Sequence, residues 1–110
     1  MYLNIFRHRK KAAIDIEAYL ADAARMEDLA RAQPGFVAYR RYVSADGEAL
    51  SISEWEDEAH ARAWAQHAEH LAVQSRARSE YYESYVVYSC SNPEIRSFGG
   101  ATADEVGPSC

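Results

Sequence analysis

The stretch FVAYRRYVSADGEALSISEW, residues 36–55, decides the architecture. Its first eight residues are rich in aromatic and β-branched side chains, which suit a pleated, half-buried surface. Asp46-Gly47 reads as a tight hairpin turn whose two central positions both need positive φ, and residues 49–56 return as a second strand ending at Trp55. On either side the pattern turns helical. Upstream, residues 14–33 place Ile16, Tyr19, Leu20, Ala23, Met26, Glu27 and Ala30 at helical spacing, a stripe that is apolar or aromatic except for Glu27. Pro34-Gly35 ends that helix, because proline cannot continue the hydrogen-bond ladder and glycine accepts the sharp turn. Downstream, Asp57 caps a helical region from about 58 to 80, with a break near His67–Glu69. The outer segments alternate as strands. Residues 2–9 set Tyr2, Asn4, Phe6 and His8 against Leu3, Ile5 and Arg7, and residues 82–89 set Tyr85, Val87 and Ser89 against Val86, Tyr88 and Cys90.

The order β-α-β-β-α-β predicts an α+β, ferredoxin-like fold: a four-stranded antiparallel sheet with both helices on one face. The other face then carries either Tyr2 and Phe6 or Leu3 and Ile5, and neither set suits water as a patch. Pressing two such sheets together about a two-fold axis covers it, which predicts a homodimer. At 110 residues the chain is one domain. The domain spans residues 1–90, and residues 91–110 read as an extended or disordered tail whose first part Ile95 and Phe98 can anchor.

Composition narrows the function. A formal charge of -5 argues against a nucleic-acid binder, which would show a basic face. No apolar run approaches the ~20 residues a spanning helix needs. At the N-terminus apolar residues precede the charges, the reverse of a secretory signal, so a cytoplasmic location is expected, with Cys90 and Cys110 as free thiols. The chain has no Gly-rich phosphate loop, Cys-x-x-Cys, Gly-x-Ser-x-Gly elbow or dinucleotide fingerprint, so no cofactor and no metal is expected.

Several residues then stand out together. Pro34-Gly35-Phe36, the Asp46-Gly47 hairpin, Trp55-Glu56-Asp57-Glu58, the run Ala63-Trp64-Ala65-Gln66-His67-Ala68-Glu69-His70, and Tyr81-Tyr82-Glu83-Ser84-Tyr85 resemble the antibiotic biosynthesis monooxygenase family over roughly residues 2–90. The resemblance implies a dimeric α+β barrel. It also implies cofactor-independent oxygenation of an electron-rich aromatic (a phenol or quinol, polyketide-like) in natural-product or aromatic metabolism, with molecular oxygen as co-substrate. The haem-degrading branch of the family uses an asparagine on the first strand, a tryptophan on the second helical segment and a histidine three turns on. Asn4 and Trp64 fit the first two, but Gln74 holds the histidine position and is a poor iron ligand, leaving His70 one turn earlier as the substitute. Haem binding or breakdown is therefore a lesser reading. A non-oxidative cyclase, isomerase or dehydratase using the same pocket is another, and a non-enzymatic stress or regulatory module is the last.

On the leading reading His67 or His70 is the base, since imidazole titrates near neutrality and can take a phenolic proton. Asn4 and Tyr82 position the substrate by hydrogen bonds, and Phe6, Trp55, Trp64 and Tyr81 line the pocket. His60, Trp64, His67 and Leu71 share one helical face if the helix is continuous. His8, beside Arg9 and Lys10, is expected in solvent. Arg40 and Arg41 point to opposite faces, and the inward one either pairs with a residue such as Glu54 or clamps an anion.

Overall fold

A computed structural model describes residues 1–100. Along the chain come β1 (Tyr2–Lys10), α1 (Ile16–Arg31), β2 (Phe36–Val43), β3 (Ala49–Trp55), α2 (Glu58–Ala65), α3 (Ala68–Glu80) and β4 (Tyr82–Ser91). The strands form one antiparallel sheet in the order β2-β3-β1-β4, the ferredoxin-like arrangement expected from the element order. No helix among the described residues is long and apolar enough to cross a membrane.

Register assigns the faces. Tyr2, Asn4, Phe6 and His8 of β1 stand opposite Trp55, Ser53, Ser51 and Ala49 of β3, so these eight side chains share one side of the sheet. Trp55 is 0% exposed and packs with Ala30 of α1 and Ala61 of α2, so this is the side the helices cover. The opposite, open face carries Leu3, Ile5, Leu50 and Ile52, all half-buried, with Tyr42, Val86 and Tyr88 exposed at its flanks. On that face Arg7 donates to Glu48 at 3.1 Å and to the Tyr88 hydroxyl at 3.1 Å, bordering a depression of about 240 Å³.

Helix starts follow local capping chemistry. The Asp15 carboxylate accepts from Ala18 N–H at 3.0 Å and Asp57 accepts from His60 N–H at 2.9 Å, each satisfying an orphan amide of a first turn. Gly35 closes α1's exit with φ 81°, and a Cβ there would lie 2.3 Å from the His60 ring, so glycine is required both by backbone and by space.

The structure departs from the sequence expectations at four places. The hairpin turn forms where Asp46-Gly47 marks it, but only Gly47 has positive φ: the loop closes through Gly47 N–H to Ser44 C=O at 3.0 Å, and Asp46 instead caps it by accepting from Glu48 N–H and Ser44 Oγ. The stripe of α1 is narrower than its apolar pattern. Ile16 and Leu20 are exposed, whereas Asp22 is drawn toward the interior by Arg76 (2.8 Å) and the Tyr81 hydroxyl (2.9 Å), which satisfy its charge. The break in the second helical region falls at Gln66–His67, with His67 in extended backbone (φ -60°, ψ 132°) acting as the cap of α3. His60, Trp64, His67 and Leu71 consequently do not share one face, and Leu71 is exposed. Finally, Ile95 and Phe98 do not anchor the tail, since both side chains are exposed. The remainder of the predicted tail, with Cys110, lies outside the described residues.

Candidate active site

The helices touch the sheet in two separate places. At one end Trp55, Ala30 and Ala61 gather Tyr2, Phe36 and Trp64 around them; at the other Tyr19, Ala77 and Tyr81 gather Ile14, Ala18 and Tyr82. Between these clusters the sheet presents Asn4 and Phe6 on β1 flanked by Ser53 and Ser51 on β3, and none of the four is fully buried. Serine side chains fill little space, so the middle of the layer is less filled than its ends. Val87, opposite Phe6 on the edge strand β4, is 49% exposed although it is on the helix side, so the helices leave that edge of the sheet uncovered.

The break between α2 and α3 brings two rings together. Residues six apart on one helix lie roughly 240° apart around its axis and cannot meet. With the chain bent at His67, Trp64 and His70 stack, ring centroids 4.5 Å apart and planes within 7°. His70 falls on the stripe of α3 that continues through the buried Val73 and Ala77.

The two histidines have opposite chemistry because their neighbours fix opposite tautomers. His70 Nδ1 lies 3.2 Å from the carbonyl oxygen of Trp64, which can only accept, so Nδ1 carries the proton and Nε2 keeps its lone pair. Burial holds its pKa below the ordinary histidine value, and the nearby His67 adds to this. The ring is therefore neutral at pH 7 with Nε2 able to take a proton. His67 Nδ1 instead accepts from Glu69 N–H at 3.2 Å, so its lone pair is spent on capping α3.

The remaining predicted residues divide in the same way. Asn4 accepts from the Ser89 hydroxyl at 2.7 Å through Oδ1, which leaves its amide as a pair of donors. Phe6 meets Tyr82 and Tyr85 at ring distances of 5.5 and 5.3 Å. Burial pushes the Tyr82 hydroxyl well above its ordinary pKa, so it stays a neutral phenol. Tyr81 is buried with its hydroxyl committed to Asp22, and Trp55 is shut in the core with Nε1 donating to Ser53 Oγ at 3.2 Å. These two are enclosed in the two clusters, whereas Asn4, Phe6, Tyr82, Trp64 and His70 are only half-buried. Arg41 is the arginine on the helix side, and it donates to the Tyr19 hydroxyl at 3.5 Å.

The sequence reading also misplaces His8. His8, expected in solvent, is 5% exposed and sits 4.7 Å from the Tyr82 ring and 5.1 Å from Phe6. Its position on the same strand face as Asn4 and Phe6 was the available signal; the basic neighbours Arg9 and Lys10 masked it. Among the described residues no three His, Cys, Asp or Glu side chains converge as a metal site.

A split βαβ sheet with helices on one side defines a small α+β domain of the ferredoxin-like class. The profile of the family described as Antibiotic biosynthesis monooxygenase matches residues 3–76, and the chain belongs to that family. The protein YqjZ of Bacillus subtilis (strain 168) is 36% identical over 86 residues, covering 78% of this chain and 75% of YqjZ. Among solved structures, Rv0793 from Mycobacterium tuberculosis superposes with a TM-score of 0.75 at 18% identity, covering 87% of this chain and 98% of that one. SnoaB, a cofactor-independent oxygenase from Streptomyces nogalater, gives 0.70 at 17% identity over 86% of this chain and 94% of SnoaB. At those identities the two structures establish the shared fold.

Proposed function

We propose that this protein is a cofactor-independent monooxygenase of an electron-rich phenol or quinol, working as a homodimer in natural-product or aromatic metabolism. The observation that carries the reading is the neutral His70, tautomerically set with Nε2 as proton acceptor and stacked on Trp64. Family membership and the fold shared with SnoaB support it. Without flavin or metal, the substrate itself must supply electrons to oxygen. His70 Nε2 takes the phenolic proton, the phenolate pushes electron density onto a ring carbon, and that carbon bonds to one atom of dioxygen. Cleavage of the O–O bond then releases water and leaves a quinone, so one oxygen atom enters the product and the other leaves as water. The protein's part is to hold the anion in a partly dry cleft, with the Asn4 amide donating to an oxygen that gains charge.

Incubation with 1,5-dihydroxynaphthalene under isotopically labelled oxygen gas is expected to give a hydroxynaphthoquinone carrying one labelled atom, with no conversion under nitrogen. An isobaric or dehydrated product formed equally without oxygen would replace the oxygenase reading with a non-oxidative one.

Dimerisation is supported by the open sheet face, where Leu3, Ile5, Leu50 and Ile52 form a patch that a second copy would cover. Light scattering should give twice the chain mass of 12.4 kDa, and substitution of Ile5 and Ile52 by lysine should halve it. A wild-type mass of one chain would overturn the dimer.

A further inference from the structure

Strand β4 ends at a fixed point, and the chain then leaves the body of the domain. Asn92 takes left-handed backbone (φ 48°), donates its N–H to the Met1 carbonyl at 2.7 Å and accepts from the Met1 amino group at 3.3 Å. Pro93 follows, which lacks the N–H a strand ladder needs, and residues 93–98 form neither helix nor strand. Along this arm Glu94 and Arg96 pair with each other at 2.7 Å, whereas Ile95 is 60% exposed and Phe98 is 105% exposed. The charges are satisfied within the arm, and the stabilisation still to be gained is burial of the two apolar side chains.

The open face of the sheet has a hollow that suits one of them. The depression of about 240 Å³ lies between Arg7 and Arg9 of β1 and Val86 and Tyr88 of β4. Glu48 and Asp46 already neutralise the two guanidinium groups, at 3.1 and 2.8 Å, so the hollow does not call for an anion. It falls short of the roughly 300 Å³ at which small-molecule pockets begin. A single aromatic side chain fits its walls, since guanidinium and apolar surfaces both accept the face of a ring.

We propose that in the homodimer residues 93–98 of each copy cross to the other and seat Phe98 in this depression. The proposal rests on the reading above that two open faces pack together, and it names what each copy lends its partner. The centre of the apolar patch is the row of Ile5 and Ile52. A two-fold axis through that row, across the strands, lays β4 of one copy over β4 of the other with the strands running oppositely. Glu54, on the open face opposite Leu3, then enters the row of the partner's Arg7, an opposite charge. The same rotation places the partner's Ser91 over the row of His8 and Tyr85, beside the depression. Packed sheets lie about 10 Å apart, and the arm from Asn92 to Phe98 reaches up to about 20 Å when extended, so it spans the gap.

The test mixes isotope-labelled and unlabelled copies of the intact wild-type chain and reads the mass by light scattering. Isotope-filtered NMR, which detects only contacts between a labelled and an unlabelled copy, should place the Phe98 ring of one copy against the Val86 methyls of the other. Phe98→Ala should raise the dimer dissociation constant about 100-fold, because each dimer loses two buried rings worth roughly ten-fold or more apiece. The substitution removes no packing from the single chain, where Phe98 is fully exposed, so it tests association and not folding. A wild-type mass of two chains without the Phe98–Val86 contact between copies, or a rise of less than ten-fold in Phe98→Ala, overturns the exchange and leaves the dimer standing. A wild-type mass of one chain overturns both.

Discussion

Replacing His70 with alanine is expected to slow conversion of the hydroxyaromatic substrate by two to four orders of magnitude, roughly the range for removal of a positioned general base. The size follows from the geometry. Nδ1–H is tied to the Trp64 carbonyl and the ring is stacked on the Trp64 indole, so Nε2 is held in one place and in one protonation state. The pH dependence carries a sign. Burial lowers the His70 pKa, so the base form persists as pH falls through the ordinary histidine value of 6.5, and kcat/KM should decline only below it. Removal of His70 should abolish that acid limb along with most of the rate. His67→Ala provides the contrast. It deletes the cap of α3 and should cost about 1 kcal/mol of stability, with a rate change of less than about ten-fold. A His67 variant as impaired as the His70 variant would contradict the tautomer assignment.

Trp55→Ala is expected to lower unfolding free energy by about 3–5 kcal/mol, the range for truncating a fully enclosed aromatic side chain. Trp55 meets Phe36 edge-on at 5.7 Å, packs against Ala30 and Ala61, and donates to Ser53, so its loss removes contacts to β2, α1, α2 and β3 together. Domains of this size have total stabilities of roughly 5–15 kcal/mol, so the variant should unfold at a much lower denaturant concentration. Trp64 leans on the same cluster, so ligand binding should weaken in the variant even where it remains folded. A loss under about 1 kcal/mol by urea titration would show that the cluster repacks around the gap.

Much of the molecule was legible without the structure. The four strands, both helical regions and the Asp46-Gly47 corner are recorded in alternation, helical spacing and turn residues within a few positions of one another. Trp64 and His70 were visible as candidates through the run Ala63–His70 that carries the family resemblance, and because imidazole titrates near neutrality. The phase of α1 was not legible. Asp22 faces inward only because Arg76 and Tyr81, 54 and 59 positions away, are there to receive it.

The chain's local patterns by themselves determined the element order and the ferredoxin-like topology, because backbone periodicity and capping depend on neighbours in sequence. Tertiary structure alone decided which histidine keeps a free lone pair, that His8 is enclosed, and that Trp64 and His70 meet across a bend. Each of those turns on a hydrogen-bond partner or a ring brought in by packing, and protonation state follows from such partners.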